Sequence, residues 1–366
     1  MRFARHGLVK AYLRKALLLL FGLFLPVALL EFAVRLLPAG TLPSQLRATG
    51  ARTYYRPDAE LRHVIKPHTD VKLEHVDFSF RLTTRLNFPQ AGFRGGLLGG
   101  QPWGIALGDS FTFGAGVNEE ATWAARLAGL AKREVINLGV PGHGPSQYTK
   151  ILERYGLGLG PKLVLYAVYT NDLEDSVRYE EWLRGKRRRP SLKRYLRQNS
   201  ATYNLFRNLR LPKREKSRYI EVPGVHLTLL PRKLKDPYDL GTENYPLGLQ
   251  LAARQIELAY QHSHRIGARF VLLYFPSKEE IYWDRVKETV ARRFASFEQA
   301  RDRLRSDLRE FCLSRGLSCL DLSAALRARS SNGEELYFPV DIHWNENGHR
   351  LVAEEIHKFL AERKIR

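Results

Sequence analysis

Short runs of apolar residues recur along this chain, separated by stretches patterned as helix. The runs fall at 103–108, 134–138, 162–169, 269–275 and 318–322, and helical patterns at 122–132, 147–155, 247–265 and 284–314. A strand that is apolar along its whole length, rather than at alternate positions, has to be covered on both faces. Such strands alternating with helices build parallel βαβ units, which carry their functional groups just beyond the carboxyl ends of the strands. The pattern predicts an α/β fold with a parallel central sheet and helices on both faces. A closing amphipathic helix is expected over 346–362, with Asn345 as its N-cap.

The first 37 residues read differently. Arg2, Arg5, Lys10, Arg14 and Lys15 precede an uncharged run from Ala16 to Leu30, and apolar character continues to Leu37 past Glu31 and Arg35. A basic flank before an apolar run marks a signal peptide or an uncleaved signal anchor. No small-x-small cleavage site follows the run directly, which favours an anchor: residues 1–37 read as a basic flank and signal anchor whose N-terminal transmembrane helix covers 16–37, with Glu31 and Arg35 paired one turn apart near the outer interface. The positive-inside rule then keeps the short N-terminus in the cytoplasm, so the expectation is a single-pass membrane protein with the rest of the chain outside. Residues 38–100 read as linker and accessory strands, and the alternation Phe78-Ser79-Phe80-Arg81-Leu82 fits an edge strand or hairpin. Residues 101–366 form the expected catalytic domain.

Charge is unevenly placed. The chain holds 59 Lys and Arg against 38 Asp and Glu, a net of +21. Between Arg184 and Lys235 alone there are 17 basic residues and two Glu, a local +15. This basic insertion, 172–244, interrupts the strand–helix alternation. It reads either as a solvated loop region or as a rim near the site mouth that attracts an anionic polymer or lipid headgroups. The two cysteines, Cys312 and Cys319, are too few for a disulfide scaffold and too isolated for a zinc site; they are either two small apolar side chains or one disulfide. No P-loop, HExxH or G-x-S-x-G pattern occurs, so nucleotide hydrolysis, zincin chemistry and the α/β-hydrolase elbow have no support. No metal or other cofactor is implied.

Four blocks carry chemistry, and they come in a consistent order. A hydroxyl is a poor nucleophile unless a base lies within hydrogen-bond reach and a further group orients the base. Gly108-Asp109-Ser110 follows a predicted strand, and the glycine permits a tight turn that exposes Ser110. Asn137-Leu138-Gly139-Val140-Pro141-Gly142-His143-Gly144 follows the next strand and offers backbone N–H groups, Gly142 foremost, with Gly139 or Gly144 as alternatives. Asn171 ends the third strand with a side-chain amide. Asp341-Ile342-His343 stands just before the last helix, and residues two apart in extended chain share a face. His343 is thus the candidate base. Asp341 is either its orienting acid or a structural residue.

Together these blocks resemble those of the SGNH (GDSL-type) hydrolases. The resemblance runs from about residue 93 to 360, leaving out the basic insertion. It implies a flavodoxin-like three-layer α/β/α sandwich and metal-independent ester hydrolysis or acyl transfer. It assigns Ser110 as nucleophile, His343 and Asp341 as the rest of a triad, and Ser110, Gly142 and Asn171 as the oxyanion hole. Gly92-Phe93-Arg94 and the N-terminal helix with Glu31 and Arg35 resemble a bacterial membrane-anchored branch. The spacing Asp-x-His is shorter than the family's common Asp-x-x-His, whose acid position holds Val340 here; acetyltransferase-type members resemble the shorter form.

The expected function is a serine esterase or deacylase that works through an acyl-enzyme on O-acyl groups of envelope glycans or lipids. Its alternatives are an O-acyltransferase of envelope polysaccharide and a non-catalytic protein that keeps the fold as a scaffold. Nucleic-acid binding lacks any recognised module. Asp109 is expected to cap the turn after the serine, Asp172 to support its loop, His143 to sit at the rim, and His349, inside the last helix, to be either a packing or a surface residue.

Overall fold

The computed structural model describes residues 2–36, 54–95, 101–185, 200, 202–203, 219–241 and 243–365. Of the basic insertion, residues 186–199, 201, 204–218 and 242 lie outside them. The chain divides into two compact units, Met1–Arg52 with Lys186–Arg214, and Thr53–Gly185 with Glu215–Arg366.

In the first unit, α1 (Arg2–Leu36) is a single helix containing Pro26. Glu31 pairs with Arg35 at 2.8 Å and also accepts from the Ser200 hydroxyl at 2.8 Å and the Thr202 N–H at 2.9 Å. Leu18, Leu19, Phe21, Phe24, Val27 and Phe32 are exposed. Among the described residues, however, no helix is long and apolar enough to cross a membrane. The expected transmembrane helix therefore has no support among the described residues, although the helix itself forms.

The second unit begins with three small antiparallel hairpins. These are β1 (Tyr55–Asp58) with β2 (Arg62–Ile65), β3 (Asp70–Glu74) with β4 (Ser79–Thr83), and β5 (Leu86–Asn87) with β6 (Gly92–Phe93). The alternation read in 78–82 is real, since β4 buries Phe80 and Leu82 and exposes Ser79 and Arg81.

The α/β core follows as β7 (Gly104–Leu107), α2 (Ser110–Phe113), α3 (Trp123–Ala131), β8 (Val135–Asn137), α4 (Pro145–Ile151), β9 (Leu163–Tyr169) and α5 (Asp172–Gly185). Within the insertion lie the small pair β10 (Ile220–Glu221) and β11 (Thr228–Leu229), then α6 (Pro231–Lys235). The chain continues through α7 (Tyr245–Arg265), β12 (Arg269–Phe275), α8 (Lys278–Val290), α9 (Ala295–Ala300), α10 (Arg303–Arg315), β13 (Ser318–Asp321), α11 (Ser323–Ser331) and α12 (Glu346–Glu362).

Among the described residues the central sheet has five strands, all parallel, in the order β8-β7-β9-β12-β13. Counting only these strands, the order is 2-1-3-4-5, that of the flavodoxin-like doubly wound sheet. Alternate residues of β9 enter opposite layers. Val164, Tyr166 and Val168 pack with residues of α4, α7 and α10, whereas Leu163, Leu165 and Tyr169 pack with residues of α3, α8 and α12. That double coverage is why the strands are apolar throughout.

Two local expectations change. The helical pattern at 284–314 is not one helix, because α8 ends at Val290 and α10 begins at Arg303. Phe294 and Phe297 bury into the layer of α8 while Leu304, Leu308 and Cys312 bury into the opposite layer. The chain changes face of the sheet between them, which a straight helix cannot do. Second, α5 and its buried Leu173, Ser176 and Tyr179 occupy residues assigned to the start of the insertion, so the crossover from β9 opens with an ordinary helix. Cys312 and Cys319 form a disulfide that ties the end of α10 to β13, with Cα atoms 6.3 Å apart.

Candidate active site

Strand order fixes where the site forms. In a doubly wound sheet, neighbouring strands whose connections leave toward opposite faces open a crevice at their carboxyl ends. Here those strands are β7 and β9. Ser110 follows the first and Asn171 the second.

Gly108 allows the close turn after β7: a Cβ there would run into the Thr112 side chain. Asp109 caps α2, its Oδ1 accepting the Phe111 N–H at 2.8 Å. Burial raises the Asp109 carboxyl, against the pull of that bond and of the His343 charge. Ser110 begins the helix, where first-turn amides lack an intrahelical acceptor and are free to face an anion.

The Ser110 hydroxyl and His343 Nε2 are 2.7 Å apart, and His343 Nδ1 lies 2.5 Å from Asp341 Oδ1. A carboxylate only accepts, so Nδ1 carries the proton, and Nε2 offers its lone pair to the serine O–H. Asp341 Oδ1 also accepts the N–H of His343 at 2.9 Å. Burial alone would raise the Asp341 carboxyl; the hydrogen bond and charge of His343 outweigh it and, with His75 nearby, hold it down at about 2. Phe111 stacks on Tyr169 at 4.2 Å and touches both the His343 ring and Trp344 at 4.9 Å, so the imidazole has an apolar backing.

Of the three glycines after β8, two have their N–H groups engaged. Gly139 donates to Asn137 Oδ1 at 3.0 Å and Gly144 to Gln147 Oε1 at 3.1 Å. Gly142 is the third residue of a turn closed by His143 N–H on the Val140 carbonyl at 3.3 Å, with φ of +73°. Proline then glycine at the centre of a turn is the signature of type II. The space where a Gly142 Cβ would stand is open, the nearest atom belonging to His63 at 3.9 Å. Asn171 Nδ2 donates to Asp175 Oδ2 at 3.1 Å and keeps a second hydrogen. Burial first, then the charges of Asp109 and Glu174, push Asp175 up to about 7.

Other expectations sort plainly. Asp172 supports its loop by accepting the Tyr169 N–H at 3.1 Å and the Tyr148 hydroxyl at 2.8 Å. His349 is buried, receives the Trp123 N–H at 3.3 Å, and is lowered by burial to about 3. His143 is not at the rim. It is fully buried, burial holds it neutral, and its Nε2 donates to the His63 carbonyl at 2.9 Å. A rim position fails because the β1–β2 hairpin covers it.

Sequence reading missed four contributors. Arg94 is buried and donates to the carbonyls of Phe113, Gly114 and Val117 at 2.9, 2.8 and 2.9 Å, holding the chain after the serine helix. Burial lowers it to about 10, which leaves it charged at neutral pH. Lys278 donates to three carbonyls of the loop bearing Asp341. Asp77 accepts two N–H groups of that loop, and His63 Nε2 donates to the Pro141 carbonyl at 3.0 Å. Each acts on backbone, which leaves no motif; only Arg94 sat in a stretch already noted. Among the described residues no group of three or more His, Cys, Asp or Glu is arranged to hold a metal ion.

The sequence profile of the GDSL-like lipase/acylhydrolase family matches residues 106–351, well over half of the chain. The chain belongs to that family. As a GDSL-like lipase/acylhydrolase it is an ester-hydrolysing enzyme. No curated protein matches it. Several solved structures are similar to this GDSL-like chain at low identity. A catalytic mutant of an acetylxylan esterase from Geobacillus stearothermophilus is 12% identical, covering 72% of this chain and 95% of its own, with a TM-score of 0.38. A GDSL-like lipase from Bacteroides thetaiotaomicron is 11% identical, covering 71% and 88%, at 0.35. A hydrolase from the metagenome of Lake Arreo, Spain, is 12% identical, covering 72% and 97%, at 0.39. At these identities and TM-scores the neighbours carry no argument about substrate or mechanism.

Proposed function

We propose that Ser110 attacks an ester carbonyl, with His343 Nε2 taking the hydroxyl proton and Asp341 stabilising the imidazolium that forms. The hydrogen-bonded chain from Ser110 through His343 to Asp341 carries this reading. The oxyanion faces the N–H groups of Ser110 and Gly142 and the amide of Asn171. His343 then returns the proton to the leaving alcohol, and water deacylates the enzyme by the reverse route.

The substrate class we propose is O-acylated glycan or lipid of the cell envelope. Two observations support it. A disulfide favours an oxidising compartment, and α1 combines a basic start with an exposed apolar surface, as an element meeting a bilayer does. An organophosphonate probe and p-nitrophenyl acetate test the proposal together. Ser110 is the expected site of labelling, and Ser110→Ala is expected to lose about 10⁴-fold or more in kcat with its melting temperature little changed. A folded Ser110→Ala enzyme that retains most of its turnover would rule the mechanism out.

A further inference from the structure

The triad acid stands on a loop, residues 338–342, that has no regular structure of its own. The loop is closed at its base, where Phe338 donates its N–H to the His343 carbonyl at 3.0 Å. With only Ile342 between acid and base, Asp341 folds back on its own chain, and one oxygen serves both the N–H and the Nδ1 of His343. A turn of that kind leaves the peptide groups just before Asp341 without partners inside the loop. Unless they are held, the carboxylate swings with them.

They are held from outside. Asp77 Oδ2 accepts the N–H of Val340 at 2.9 Å and that of Asp341 at 2.6 Å. Asp77 lies in the turn between β3 and β4, which is itself closed by the His75 N–H on the Phe78 carbonyl at 2.8 Å. The same turn packs Phe78 on Phe338, ring centres 4.6 Å apart, and brings His75 Nε2 within 3.9 Å of Asp341 Oδ2. On the carbonyl side, Lys278 Nζ reaches Phe338, Pro339 and Asp341 at 2.6, 2.9 and 3.2 Å, and Thr228 donates twice to Pro339. A carboxylate taking two N–H groups makes charge-assisted bonds, stronger and more directional than neutral ones.

We infer that Asp77 is a positioning residue of the triad: its carboxylate fixes the peptide of Asp341, so that an acid only two residues from His343 still meets the imidazole. Accessory hairpin β3–β4 is thereby part of the catalytic machinery and not a decoration of the fold. The inference rests on the triad mechanism proposed above, and Lys278 is the complementary clamp on the carbonyl side of the loop.

The test uses the full chain, p-nitrophenyl acetate as substrate and an organophosphonate to count active sites. Asp77→Ala is expected to lower kcat per titrated site by about 10- to 100-fold with KM within about twofold, the scale of a small misplacement of a catalytic group. The acidic limb of kcat/KM should move to lower pH, because an imidazole less well met by Asp341 is less basic. Asp77→Asn keeps an oxygen that can accept both N–H groups and should restore kcat to within about threefold. Should the alanine chain not fold, Asp77→Glu displaces the carboxylate by one methylene and gives the same two readouts. Unchanged kcat per site and an unmoved pH profile in these variants would overturn the inference, as would a loss confined to the number of titratable sites. A fully active Ser110→Ala would instead remove the mechanism beneath it, and the two failures are distinct.

Discussion

Asp341 places two hydrogen bonds on one oxygen and is held ionised down to about pH 2 by the imidazole it serves. Its folded pKa lies below the ordinary aspartate value of 3.8, so the native state releases the proton first. The stability this contributes is present above about pH 4 and lost as pH falls toward 2. An acidic limb in kcat/KM above pH 4 therefore does not belong to Asp341. Asp341→Asn keeps the shape but cannot hold the Nδ1–H tautomer, because an amide nitrogen at that position would donate rather than accept. A kcat loss of about 10⁴-fold is expected, measured on a small ester with active-site titration. Loss of less than about tenfold would make Asp341 structural and leave the imidazole to a backbone carbonyl. Ser110 and Asn171 were visible in the sequence because they stand just past strands that apolar patterning marks, and Asp341 and His343 because they come shortly before the last amphipathic helix. Asp77, Lys278 and Arg94 were not, because their partners are backbone groups brought together only by folding.

At the scale of elements, apolar runs gave the sheet because strands buried on two faces leave no polar positions to confuse the pattern. The strand order was not readable, since it depends on which face each crossover takes. The break between α8 and α10 was hidden for the same reason: the residues on either side are all compatible with helix, and only their opposite layers separate them. Helix α8 itself makes a testable point. Its N-terminus carries a capping box in which Ser277 N–H donates to Glu280 Oε2 at 2.6 Å, while Tyr274 donates its hydroxyl to Oε1 at 2.7 Å. Glu280 is fully buried, and burial pushes it up to about 7 despite those donors. With a folded pKa above the ordinary glutamate value of 4.5, the native state holds the proton longer than the unfolded chain does. Its contribution is full below about pH 4.5 and is lost as pH rises through about 7. Glu280→Gln should remove that slope, so the wild type should lose about 3 kcal/mol relative to the variant between pH 4.5 and 7.5. Urea melts at the two pH values measure it. A residual decline common to both chains is expected from Asp175, which is shifted in the same direction. Parallel stability curves would mean that Glu280 is already ionised in the folded protein.

At the scale of the whole molecule, the charge separates by unit. The unit formed by Met1–Arg52 and Lys186–Arg214 holds 19 Lys and Arg against the single Glu31, a net of +18 out of +21. Glu31 is itself neutralised by Arg35. Ser110, Gly142, Asn171, Asp341 and His343 all belong to the other unit, which is close to neutral by the same count. An expectation that the basic insertion steers substrate into the site mouth thus meets a division of the chain in which most of those charges group with the apolar helix. Basic clusters next to an apolar helix fit an anionic lipid surface, where each Lys or Arg near the membrane contributes about 1 kcal/mol. Replacing Lys186, Arg187, Arg188 and Arg189 with Gln should therefore weaken binding of the full chain to vesicles containing phosphatidylglycerol by at least about tenfold. Binding to pure phosphatidylcholine vesicles should change little, and the difference should shrink as salt is added. Turnover of p-nitrophenyl acetate should be unaffected, because the four residues lie outside the catalytic unit. Equal binding of variant and wild type to anionic vesicles would reduce the segment to a solvated stretch. A loss of ester turnover would instead mean that these charges reach the active site, and that the two units act on the substrate together.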